Sequence, residues 1–109
     1  MHPDLPPGQD LSEKTFLLFF WAPWDGNSKR YYEQVLVDAL PAYAGQFTFY
    51  PVNIDPVENH NLCHQVHLQN TPTLILFVDG KVREQSVGIR SRETLDTLLR
   101  KWLAEAATD

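Results

Sequence analysis

The chain has 109 residues, enough for one domain around one core and too few for two. Fourteen acidic against nine basic side chains give a formal net charge of -5, which leaves no basic footprint for nucleic acid or an anionic membrane. A single cysteine forbids an internal disulfide, no apolar run reaches membrane-spanning length, and the N-terminus lacks a signal-type core; the reading is a soluble cytoplasmic protein held by packing alone.

Residues 1–10, MHPDLPPGQD, contain three prolines and a glycine and are read as an extended tail, with the folded domain over 11–106. TFLLFFW, residues 15–21, is a continuous apolar run of strand length, the pattern of a central strand buried on both faces. From Gly26 the pattern turns helical, with Tyr32, Val35, Leu36 and Leu40 in helical spacing until Pro41 kinks or ends the helix. Phe47, Phe49, Val52 and Ile54 mark a second strand, interrupted by Pro51. Residues 57–67 read as a short helix turning Leu62 and Val66 inward. TPTLILFVDGKVREQSVG, residues 71–88, reads as a β-hairpin turning at Asp79-Gly80. Ser91 caps a last amphipathic helix through Leu95, Leu98, Leu99, Trp102 and Leu103. A right-handed strand-helix-strand unit followed by a hairpin predicts an α/β fold, a mixed central sheet flanked by helices.

The motifs in this order resemble the thioredoxin family. FFWAPWDGNSK, residues 19–29, is similar to the family's strand and active-site loop, where W-A-x-W-C-G-P-C-K is usual. VNID, residues 52–55, resembles the end of its next strand, NTPTLILFVDGK, residues 70–81, its cis-proline loop and hairpin, and VGIRSRETLDTLL, residues 87–99, its glycine and last helix. The resemblance implies a thioredoxin-like fold without the family's first strand and helix, because only fourteen residues precede Thr15. It further implies that the strand around Phe47 to Ile54 lies at a sheet edge, where Pro51 is tolerated. That edge is open to a partner strand or to a second copy of the chain, unless the tail folds over it.

The chemistry departs from the family's pattern. Asp25 stands at the position of the nucleophilic cysteine and Ser28 at that of the resolving cysteine, Phe19 replaces a buried aspartate, and Pro51 replaces its lysine partner. Thiol-disulfide exchange needs an attacking thiolate and a second sulfur, so this degenerate loop, Trp24, Asp25, Gly26, Asn27 and Ser28, is expected to be redox-inactive, and the protein to be no enzyme and to need no cofactor. Asp25 reads as the cap of the following helix, as half of a carboxylate-hydroxyl pair with Ser28 that lacks a histidine base, or as a contact to a basic partner.

Cys63 reads either as a small buried hydrophobe or as a lone reactive thiol that traps clients as mixed disulfides. His60, His64 and His67 stand at i, i+4 and i+7; two such histidines can share a zinc ion, though His67 falls where the family's helix ends and exposed histidine stripes are usually solvated. The resemblance also implies a cis peptide bond before Pro72 and a groove in which Thr71 and Pro72 face Trp24 and Pro23. The expected function is a redox-inactive adaptor, assembly factor or chaperone-like module binding another protein or an extended peptide there. The alternatives are a one-cysteine redox or stress-responsive protein using Cys63, or metal binding by the histidines.

Overall fold

The apolar run becomes β1 (Thr15–Trp21), and its neighbours account for its composition. Parallel β2 (Thr48–Asn53) lies on one side and antiparallel β3 (Thr73–Val78) on the other, with β4 (Lys81–Val87) beyond β3, so the sheet order is β2-β1-β3-β4. Alternate residues of β1 enter opposite layers. Leu17 and Phe19 join Tyr32, Leu36 and Leu99 on one face, while Phe16, Leu18 and Phe20 join Val52, Ile75 and Phe77 on the other. Leu17 to Phe20 are 0% exposed, each stabilising the fold by about 1.5–3 kcal/mol by burial. The computed structural model describes residues 3–107.

After β1 the chain forms one helical arm in four pieces: α1 (Gly26–Tyr31), a π-helical turn (Tyr32–Leu36), α2 (Val37–Ala39) and a 3-10 turn (Leu40–Tyr43). The widened turn is marked by the Val37 N–H donating to the Tyr32 carbonyl. Tyr31 and Tyr32 are both buried beside Phe19, with ring centroids 5.9 and 5.8 Å away. The position that a buried aspartate holds in the resembled family is thus the centre of an aromatic cluster. The arm stops in the turn around Pro41, where the proline ring and missing N–H preclude further α-helix.

The hairpin turns at Asp79 and Gly80, both with positive φ (52 and 80°), as a primed two-residue turn requires. α4 (Arg92–Ala107) begins with the Thr94 N–H donating to Ser91 Oγ at 3.2 Å, and buries Leu95, Leu99 and Trp102.

One detail differs from the sequence reading, and the tail takes one of the two courses left open for it. The helix read over 57–67 is a 3-10 turn (Val57–Asn59) leading into α3 (His60–Gln65). It closes when His67 takes a left-handed φ of 56°, with the Leu68 N–H on the Cys63 carbonyl and the His67 N–H on the His64 carbonyl. The proline-rich segment, though neither helix nor strand, is anchored. Leu5 is buried in the same core layer as Phe16 and Val52, and its N–H donates to the Pro51 carbonyl at 3.1 Å. β2 is the edge strand, and at Pro51 the tail lies on that edge.

Candidate site at the ends of β1 and β2

β1 and β2 run parallel and finish together, so the loops leaving them emerge side by side, joined by the Ile54 N–H on the Trp21 carbonyl at 3.0 Å. Trp24 in the first loop is 70% exposed, yet it is not loose. Its indole Nε1–H donates to Asp55 Oδ1 in the second loop at 2.9 Å. The loop entering β3 completes the site from the other side. There the Thr71–Pro72 peptide bond is cis, Pro72 is buried, and its carbonyl accepts the Gly88 N–H at 2.8 Å.

Asp25 joins these loops. Its Oδ1 accepts the N–H groups of Asn27 and Ser28, at 3.2 and 3.4 Å, which are among the free amides of the first turn of α1. Its Oδ2 accepts the Thr71 hydroxyl at 2.8 Å. The Thr71 bond, ahead of the two amides, holds the carboxyl below the usual carboxylate range against the opposing effect of burial. One side chain therefore ties the start of α1 to the loop before β3, 46 positions along the chain. Gly26 and Asn27 open α1, and Asn27 accepts Arg30 Nη2 at 2.7 Å.

Ser28 takes no part in the surface. It is 0% exposed, its hydroxyl donating to the Asp25 carbonyl at 2.9 Å and accepting the Ala22 N–H at 3.4 Å. The carboxylate-hydroxyl pair weighed for hydrolysis is ruled out by that placement, because the hydroxyl faces backbone beneath the loop.

Between Trp24 and the loop before β3 lies a cavity of about 600 Å³ whose walls include Asp25, Cys63, His64 and Thr71. Cys63 is half-buried, and burial pushes its thiol above the ordinary value, so it is less often a thiolate than a free cysteine. The histidine stripe is broken: His60 and His64 lie on α3, whereas His67 stands beyond its end. A ring nitrogen of His60 is 3.2 Å from the Asp55 carbonyl and donates to it. Among the described residues no three His, Cys, Asp or Glu side chains are arranged to hold a metal ion. No described helix is long and apolar enough to cross a membrane.

Asp55 and the Asp25–Thr71 bond are absent from the residue-level reading of the site. Asp55 sits within VNID, a segment that carries the family resemblance, but no local pattern ties it to a tryptophan 31 positions earlier.

Comparison with known proteins agrees with this architecture. The family model described as Thioredoxin matches residues 9–101. A chloroplastic M-type thioredoxin of Arabidopsis thaliana is 34% identical over 86% of this chain and 47% of that protein, and one from Zea mays is 31% identical over 86% of the chain and 54% of its own length. The chain spans about half the length of these plant relatives. The thioredoxin of Bacillus subtilis is 32% identical over 86% of this chain and 88% of its own length. These relatives correct one expectation. The chain was expected to be no enzyme because Asp25 and Ser28 stand where two cysteines are usual, but the relatives are thioredoxins, which are disulfide oxidoreductases, and that expectation is overturned. The matched span and the near-complete coverage of the Bacillus protein place this chain in the thioredoxin family.

Proposed function

We propose that the chain binds an extended segment of another polypeptide in the cavity between Trp24 and Thr71. The observation that carries this reading is the pairing of a free backbone with a fixed aromatic. Among the described residues no hydrogen bond is made by the Thr71 N–H or C=O, and Thr71 lines the same cavity as an indole that is 70% exposed but held by Asp55. A free N–H and C=O in an extended loop can pair with an incoming strand, while an aromatic face supplies apolar contact; together these are the parts of β-addition recognition. Pre-organisation favours such binding, because the hydrogen bonds to Asp25 and Asp55 settle the geometry before the segment arrives.

A second reading is favoured by the place of Cys63 on the wall of the same cavity. A bound segment carrying a disulfide brings it to this thiol. The Cys63 thiolate attacks one sulfur, the segment's S–S bond breaks, its other sulfur leaves as a thiolate, and a mixed disulfide remains. The raised thiol pKa makes this step slow at neutral pH.

Panning a random-peptide display library against the protein, with counter-selection on Trp24→Ala, tests the first reading. Enrichment of extended sequences that do not bind the variant supports it, and enrichment that Trp24→Ala retains in full overturns it. The second reading predicts that a cystine-containing peptide forms a covalent adduct that Cys63→Ser abolishes; no adduct after prolonged incubation at alkaline pH overturns it.

A further inference from the structure

Two carboxylates stand at the Trp24 end of the cavity, one in its lining and one bonded to the indole. Asp25 precedes α1 and lines the cavity beside Trp24, and Asp55 follows β2 and accepts the Trp24 Nε1–H. No Lys or Arg stands among the lining residues; the titratable groups on the opposite wall are Cys63 and the histidines of α3 and its exit. At the start of α1 the N–H groups of Asn27 and Ser28 are already taken by the Asp25 carboxylate.

We infer that the segment bound in this groove carries a Lys or Arg side chain, seated against the Trp24 indole with Asp25 and Asp55 on either side. The inference rests on the polypeptide-binding reading above and names the chemistry of the partner. An ionised carboxylate has about four acceptor sites, of which Asp25 uses three, so it can accept one further N–H without giving up Thr71 or the two amides. Asp55 spends Oδ1 on the indole and, being exposed, offers Oδ2 to an arriving cation. The indole face adds the attraction of an aromatic ring for a cation within about 6 Å of its centre. At longer range the chain's net charge of -5 draws basic segments inward. With its Nε1–H bonded to Asp55, the indole is still 70% exposed.

Three fluorescein-labelled peptides, Gly-Val-Thr-Xaa-Val-Thr-Gly-amide with Xaa as Arg, Gln or Glu, titrated into the full chain by anisotropy, test the inference. The Arg peptide is expected to bind about tenfold tighter than the Gln peptide, with the Glu peptide weakest and the Arg advantage shrinking as salt rises from about 0.1 to about 1 M. The Asp25→Asn/Asp55→Asn double variant keeps acceptors for the amides and the indole while removing both charges. It is expected to bring Arg and Gln within about twofold of each other. Equal binding of Arg and Gln to the wild-type chain overturns the inference, and the groove reading then stands if Trp24→Ala abolishes both. An Arg preference that survives the double variant overturns the assignment to Asp25 and Asp55. No binding of any of the three peptides overturns both readings.

Discussion

Replacing Asp25 by alanine removes three hydrogen bonds at once: two to the first turn of α1 and one to the Thr71 hydroxyl. The loss of the helix cap costs about 0.5–2 kcal/mol. The Thr71 bond is short and charge-assisted, a type worth about 1.5–3 kcal/mol when desolvated, but both partners are partly exposed and water replaces the acceptor, so its share is nearer 1 kcal/mol. The sum is about 1.5–3 kcal/mol, or a fall in Tm of roughly 6–13 °C for a domain of this size. Urea unfolding at neutral pH, followed by tryptophan fluorescence, measures it directly. Asp25→Asn retains an acceptor for the amides and is expected to lose less than about 1 kcal/mol. A double-mutant cycle of Asp25→Ala with Thr71→Val isolates the link between the two loops, with a coupling of about 0.5–1.5 kcal/mol expected. Wild-type stability for Asp25→Ala, or zero coupling in the cycle, would refute the view that this carboxylate fastens the loop before β3 to α1.

The depressed pKa of Asp25, owed first to Thr71, gives a pH signature: its stabilisation is fully present above the unfolded carboxylate value of about 3.9 and is lost as pH falls through the lower folded value. Stability measured from pH 6 downward should therefore decline less steeply for Asp25→Asn, and identical slopes would contradict the assignment. Cys63 should be alkylated by iodoacetamide with a midpoint above that of a free thiol, because burial disfavours its thiolate; a midpoint at or below the free value would show a different environment. Leu5→Ala should cost about 1–3 kcal/mol, the low end for a buried leucine because it sits near the chain end, and should speed exchange of the Leu5 amide; unchanged stability and exchange would mean the tail is not anchored. Tyr43, whose pKa is pushed up to about 12 by burial and by the Asp96 carboxylate that accepts its hydroxyl, should contribute to the high-pH end of the ultraviolet tyrosine titration alongside Tyr31, which burial also raises, so that Tyr43→Phe lowers the high-pH amplitude; an unchanged amplitude would contradict this.

The parts of the fold written in local chemistry were legible before any coordinates. An unbroken apolar run of strand length between polar residues and proline fits a strand covered on both faces, and β1 is one; Asp79-Gly80 suits a turn with two positive φ angles, and the hairpin turns there. Pro41 ends the helical arm because proline removes the N–H that an α-helix requires. Features that depend on distant residues were not legible. Leu5 lies between prolines, which mark a segment as irregular but say nothing of whether one leucine in it finds a hydrophobic slot. His67 has no glycine to announce its left-handed φ, so the form of the helix end, though not its place, was hidden. At the site, the positions of Trp24, Asp25, Thr71 and Pro72 came from family resemblance. The bonds that join them cross 31 and 46 positions and carry no periodicity.

A polypeptide segment bound in the groove lies against Thr71 and Trp24. Two-dimensional ¹H–¹⁵N NMR of the full chain, titrated with the Arg peptide, tests it at the atoms concerned. The account predicts that the Thr71 amide and the Trp24 indole N–H shift together and saturably, while amides on the exposed face of α4 stay in place. Shifts that leave Thr71 and Trp24 unmoved and gather along β4 instead would contradict it.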